Sequence, residues 1–172
     1  NRGAFRFIAD TETSIVYGLG AIKGLGEGPV ESMVNCRETS GRFKDLYDFC
    51  EKVDQKKVNK RALEALICSG ALDQLVEIVP TDCEDEIGYK RALLIANQED
   101  AVGLAEQKTR NDDSGITDLF GDDVLVSETA GGRYNHFDGL RCLSFRDRLG
   151  KEKDSLGLFL TGHLVDEYKE EF

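Results

Sequence analysis

Apolar positions in this 172-residue chain change their period several times, and each change marks an element. β-forming residues cluster in Ala4-Phe5-Arg6-Phe7-Ile8-Ala9 and in Ser14-Ile15-Val16-Tyr17, around the polar turn Asp10-Thr11-Glu12, which predicts a hairpin. From Gly28 to about Arg37 the spacing becomes helical, with Val30, Met33 and Val34 on one side and Gly41 as a stop. A second helix is predicted over 44–53, burying Leu46, Tyr47, Phe49 and Cys50, and a third from Lys60 to Ser69. Asn59 suits the N-cap of that third helix, Leu63, Leu66 and Ile67 form its apolar stripe, and Gly70 supplies a left-handed exit. One long helix reads from Gly88 to about Arg110, carried by Ala92, Leu93, Ile95, Ala96, Ala101, Val102, Leu104 and Ala105. Periodicity then fails over 111–134 and returns from about Leu143 to Leu160, ending at Gly162-His163-Leu164.

The stretch Ile22-Lys23-Gly24-Leu25-Gly26-Glu27-Gly28-Pro29-Val30 joins two short helical patterns through a Gly-hydrophobic-Gly turn. Glycines there permit positive φ and close approach of a ligand to the backbone. Leu25 is expected to point inward and pin the turn, and Pro29 sits where a helix start needs no amide donor. The amides left facing solvent, with the positive end of the following helix, form a site for one phosphate that reads no base. This is the logic of a helix-hairpin-helix motif. Ser69-Gly70-Ala71, followed by Leu72, repeats the turn in weaker form; taken alone it reads as a helix stop, and only the upstream turn raises it to a second phosphate grip.

Charge first argues against a polyanion, because the chain carries a formal −11. Its distribution points the other way. Residues 1–70 hold 11 Lys and Arg against 10 Asp and Glu, a net of +1, whereas residues 71–172 hold 11 against 23, a net of −12. Lys52, Lys56, Lys57, Lys60 and Arg61 lie close together in the first part, where they either supply sequence-independent attraction to phosphates or form a solvated face. The stretch 111–134 has six acidic residues and one base, and reads as a mobile loop. Within it Ile116, Thr117, Asp118, Leu119 and Phe120 place two large apolar side chains in polar surroundings. Leu119 and Phe120 either dock in a partner's pocket or fold back on the long helix.

No apolar run reaches the roughly 18 to 20 residues of a membrane span, and the start lacks the layout of a signal peptide, so no membrane partner and a cytoplasmic location are expected. A chain starting at Asn1 is expected to be a piece of something longer. The five cysteines (Cys36, Cys50, Cys68, Cys83 and Cys142) include no Cys-x-x-Cys pair and read as reduced thiols, and no metal or cofactor is expected. Glycine pairs at Gly18-Leu19-Gly20 and Gly24-Leu25-Gly26 lack the third glycine and the acid of a dinucleotide fingerprint. Asp82 with Asp85, Asp112 with Asp113 and Asp122 with Asp123 sit without a rigid strand to fix a metal, and His163 has no nearby nucleophile. No catalytic residue is assigned.

Residues 15–29, from Ile15-Val16-Tyr17-Gly18 to Gly28-Pro29, resemble the segment after the fingers of the bacterial replicative C-family DNA polymerases, the DNA polymerase III alpha subunits. Phe43 to Cys50, Val58 to Ile67 and Gly70-Ala71-Leu72-Asp73 continue the match in order, and Glu152 to His163 resembles the stretch leading toward that family's OB-fold. The resemblance implies a mainly α fold: tandem helix-hairpin-helix with a small N-terminal β-hairpin, a long helix and a mobile acidic loop. It implies a β-hairpin lead-in from the fingers over 1–20, a DNA-binding region over 21–110, a flexible acidic loop with a clamp-binding peptide over 111–134, and a helical connector over 135–172.

The implied contacts to duplex DNA are Lys23, Gly24, Leu25, Gly26, Gly28, Lys56, Lys57, Lys60, Arg61, Ser69, Gly70 and Ala71. The implied contacts to the beta sliding clamp are Ile116, Thr117, Asp118, Leu119 and Phe120, with Ile116 where the family's peptide has glutamine. Further partners implied are the rest of the polymerase chain and its holoenzyme. The parent would be a DNA-directed DNA polymerase of the bacterial cytoplasm, but its catalytic palm aspartates have no matching segment here, so the chain alone is expected to be inactive. The alternatives are a protein-interaction scaffold without DNA binding, or a DNA-binding module of a repair nuclease or ligase.

Overall fold

A computed structural model of the chain describes residues 2–113, 133–135 and 139–171. Two strands, β1 (Ile8–Ala9) and β2 (Ile15–Val16), pair antiparallel with Ile8 opposite Val16 and Ala9 opposite Ile15. The hairpin is shorter than the alternation predicts because its flanks turn to other partners. Ala4 and Phe5 give their carbonyls to the amides of Leu19 and Gly20 at 2.8 and 2.9 Å, in a 3₁₀ turn over Leu19–Ala21.

Five α-helices follow: α1 (Glu27–Ser40), α2 (Leu46–Lys52), α3 (Lys60–Cys68), α4 (Glu86–Asp113) and α5 (Phe145–Leu156). Side-chain caps set most of their starts. Asp45, Asn59 and Ser144 accept the amides of Asp48, Ala62 and Asp147 at 2.7, 3.0 and 3.1 Å, satisfying donors that a helix start leaves without a partner. Gly41 ends α1 as the spacing predicts. At the far end α5 stops at Leu156, four residues before the predicted end, because Gly157 turns left-handed at φ 82°. The chain then doubles back, and the Glu152 carboxylate accepts the amides of Leu160 and Thr161 at 2.6 and 2.9 Å.

The core lies where α4 packs on α2 and α3, with Leu46, Phe49, Leu63, Leu66, Ile67, Leu93 and Leu94 all buried. Of the apolar positions predicted for α4, Ala92, Leu93, Ala101 and Ala105 are buried, whereas Leu104 is exposed. Tyr134, at the end of the stretch read as a loop, is buried in this core. Its hydroxyl accepts the amide of Leu46 at 3.0 Å and donates to the carbonyl of Leu75 at 2.9 Å. Beside it Asn97 accepts from Tyr47 at 3.0 Å and donates to the carbonyls of Leu93 and Asn135 at 2.9 and 2.8 Å.

A buried ionic cluster ties α4 to the exit of α3 and to α5. Arg91 donates to Glu152 from both terminal nitrogens at 3.2 Å, to Asp73 at 3.1 to 3.2 Å, and to the carbonyl of Cys68 at 3.3 Å. Arg91 is 1% exposed and Glu152 is fully covered, so neither charge has water to fall back on. Burial holds the Asp73 carboxyl above its ordinary range against the opposing pull of Arg91. Arg91→Met, which leaves Glu152 covered and unpaired, is expected to destabilise the fold by about 3 to 5 kcal/mol in urea unfolding. Tyr134→Phe strands the Leu46 amide and the Leu75 carbonyl and is expected to cost about 1 to 3 kcal/mol in the same measurement.

Candidate nucleic-acid interface

The turn from Lys23 to Gly26 is built from the inside outward. Ile22 and Leu25 are buried in the core, which anchors the turn at two points and leaves Lys23, Gly24, Gly26 and Gly28 exposed. Gly24 takes φ +81°, a left-handed conformation that a side chain disfavours, and nothing lies within 4 Å of where its Cβ would be. Gly26 is the N-cap of α1 with φ −78°, an ordinary extended value, so only the first glycine needs left-handed freedom. Pro29 is the third residue of α1.

Two of the turn's amides are spent inside the protein: Lys23 donates to the carbonyl of Ser155 at 2.8 Å, and Leu25 to that of Ile22 at 3.1 Å. Among the described residues the amides of Gly24, Gly26, Glu27 and Gly28 have no internal acceptor. They sit at the positive end of a 14-residue helix, the arrangement that attracts an anion. The carboxylate of Glu27 occupies the same first turn and opposes a second negative charge there. The net donor count still favours an anion held by backbone.

Ser69, Gly70 and Ala71 do not share this geometry. Ser69 donates to Ala65, Gly70 to Ile67 and Ala71 to Leu66, each at 3.0 Å, the closure of an ordinary helix stop. Gly70 also has φ +81°, yet a Cβ there would lie 2.3 Å from an Arg91 nitrogen, so the space a side chain would need is filled by the buried cluster. Their amides are withdrawn from any phosphate grip. The tandem is therefore asymmetric: one turn is open and the other is plugged.

The basic residues from Lys52 to Arg61 divide as well. Lys56, Lys57 and Arg61 are exposed, with no carboxylate partner among the described residues. Lys60 pairs with Glu99 on α4, which raises the lysine's affinity for its proton and lowers that of the glutamate, and Lys52 pairs with Asp48 at 2.9 Å. Ile116, Thr117, Asp118, Leu119 and Phe120 lie outside the described residues.

Other candidates have structural duties. Asp85 accepts the amide of Gly88 at 2.9 Å and pairs with Arg148 at 3.1 Å, and His163 stacks edge-on with Phe159. Cys50 is pushed up to about 12 by burial, which leaves its thiol inert at neutral pH. Local sequence reasoning misses Ser155, whose carbonyl supports the open turn from 132 residues away. The signal that points to it is the family resemblance that runs from Glu152 to His163.

Gly24→Ala and Gly28→Ala should move stability in opposite directions. The first places a Cβ on a left-handed residue and costs roughly 1 to 2 kcal/mol, whereas the second meets open space in a helix and gains about 0.4 to 1 kcal/mol. Thermal unfolding of the two variants checks the contrast.

Residues 1–78 match the helix-hairpin-helix motif family. Along 99% of its length the chain is 47% identical to the DNA polymerase III subunit alpha of Pseudomonas aeruginosa, 43% to that of Vibrio cholerae and 37% to that of Escherichia coli K12. It spans only 15%, 14% and 13% of those relatives, respectively. Identity of 37% to 47% along 99% of its length makes the chain a member of the bacterial DNA polymerase III alpha family, of which it represents one segment.

Proposed function

We propose that this segment holds the phosphate backbone of duplex DNA through the open turn at Gly24 and tethers its parent polymerase to a sliding clamp. The observation that carries the first grip is the set of amides at the exposed residues Gly24, Gly26, Glu27 and Gly28, which have no internal acceptor among the described residues. Backbone donors aimed at a phosphate read no base, so the contact is independent of sequence, as a polymerase that copies any template requires. Lys23, Lys56, Lys57 and Arg61 add long-range attraction, and Lys60 adds less because Glu99 already neutralises it.

The second grip rests on sequence. Asp118-Leu119-Phe120 fits the last three places of the clamp-binding peptide, and its apolar pair stands in an acidic stretch. Ile116 in the glutamine position removes one polar contact, a loss of about 1 kcal/mol. Two modest contacts on one tether raise the effective concentration of the polymerase at a primer end, which is processivity expressed as multivalency. In this division of labour 1–20 leads in from the fingers, 21–110 grips DNA, 111–134 reaches the clamp and 135–172 connects onward. The segment supplies no chemistry of its own, and its parent works on the chromosome in the bacterial cytoplasm.

Duplex binding by the full chain is expected to weaken steeply with salt, and Gly24→Val is expected to lower affinity at least about tenfold, roughly 1.4 kcal/mol, with an unchanged far-UV circular dichroism spectrum. A protein-interaction scaffold would give no salt-sensitive binding to lose. Leu119→Ala with Phe120→Ala should abolish capture of purified clamp and leave the duplex isotherm in place; equal loss of both activities would make the peptide structural.

A further inference from the structure

The segment Gly41-Arg42-Phe43-Lys44-Asp45 joins α1 to α2, and exposure alternates along Arg42, Phe43 and Lys44. Phe43 is buried edge-on against Phe49, with ring centres 4.9 Å apart, so Arg42 and Lys44 are both turned to solvent. Together with Arg2 and Arg133 they line a cavity of about 630 Å³ that Leu75, Val76 and Tyr134 also line. A second hollow of about 290 Å³ shares Arg2, Phe43 and Gln74 with the first and extends past Arg37 to the plugged turn at Gly70. These shared walls make the two hollows adjoining parts of one furrow.

Five cations line this furrow against two carboxylates, Asp45 and Glu77, in a chain where acids outnumber bases by 33 to 22. Three of the five are engaged within the protein: Arg2 with Asp10, Arg37 with the carbonyl of Gly3 at 2.7 Å, and Arg133 with Glu51 at 2.9 Å. Arg42 and Lys44 have no carboxylate partner among the described residues, and the backbone alternation fixed by Phe43 holds them side by side. Asp45 is already occupied as the cap of α2 and lies 3.9 Å from Arg133, so it does not neutralise them.

We propose that this furrow is a second phosphodiester-binding track, separate from the Gly24 turn, in which Arg42 and Lys44 contact consecutive phosphates of a nucleic-acid strand. Several cations around one furrow suit a polyanion with several phosphates better than a single small anion, and guanidinium groups suit phosphate by paired donation. The track also accounts for how a chain whose tandem turn is plugged could still hold DNA at more than one point. It does not depend on the Gly24 reading.

The test uses the full chain and three fluorescent probes: a mixed-sequence duplex, the corresponding single strand, and poly-glutamate. Arg42→Ala with Lys44→Ala is expected to weaken strand binding about tenfold or more and to reduce the slope of log affinity against log salt by about 1.4 to 1.8. Both side chains are exposed, so an unchanged thermal melt verifies the fold. Loss on the duplex assigns the track to double-stranded DNA, and loss on the single strand alone assigns it to an unpaired strand; either supports the track. Unchanged affinity and slope for both nucleic acids overturn it, as does loss confined to poly-glutamate, which would identify an acidic-peptide site. Gly24→Val run in parallel separates the two sites. Binding lost in Gly24→Val and intact in the double variant removes the furrow alone, and the converse removes the Gly24 turn alone.

Discussion

The pairing of Arg91 with Glu152 is the constraint from which the rest of the architecture follows. Two fully covered charges are costly to remove from water, and the cost is offset only when every donor and acceptor finds a partner. Here they do. Arg91 reaches Asp73, Cys68 and Glu152, and the second oxygen of Glu152 collects the amides of Leu160 and Thr161. One cluster thus ties the end of α3, the start of α4, the middle of α5 and the returning chain to a single point. Apolar packing alone would tolerate sliding of α5 along α3; directional bonds to a charge do not. Because the last turn of α5 presents the Ser155 carbonyl to Lys23, that fixed position is passed on to the open glycine turn.

The same cluster explains why two similar glycine turns behave differently. Each has a glycine near φ +81°. At Gly24 the space outside the turn is empty and four amides face it, while at Gly70 an arginine fills that space and the amides close on their own helix. The donors at the first turn are backbone dipoles, which carry no net charge, so an anion held there would depend on short-range bonds made against the −12 of the second part.

Much of the fold is legible in the sequence wherever it is set by neighbours along the chain. Asn59 as a cap, Gly41 as a stop, and the stripe of Leu63, Leu66 and Ile67 are each decided within one or two turns of helix. What escapes is decided by residues far away. A helix followed by Ser-Gly-Ala reads the same whether the turn is open or closed, and only Arg91, 21 residues later, settles it. Lys60 looks like a free cation until Glu99 arrives beside it, and Tyr134 looks like part of an acidic loop until its hydroxyl meets Leu46 and Leu75. Gly157 interrupts an apolar pattern that otherwise runs on, so the end of α5 is misread by four residues. Arg42 and Lys44 resemble ordinary surface charges until the cavity between them is seen.

The bond from Lys23 to Ser155 has a consequence for the order of events during synthesis. The glycine turn leaves the ribosome ahead of its supporting carbonyl, which is 132 residues behind it. At bacterial elongation rates of about 5 to 20 residues per second, that interval is roughly 7 to 26 s. During it the nascent turn lacks its distal brace, so the turn reaches its final form only after α5 has emerged.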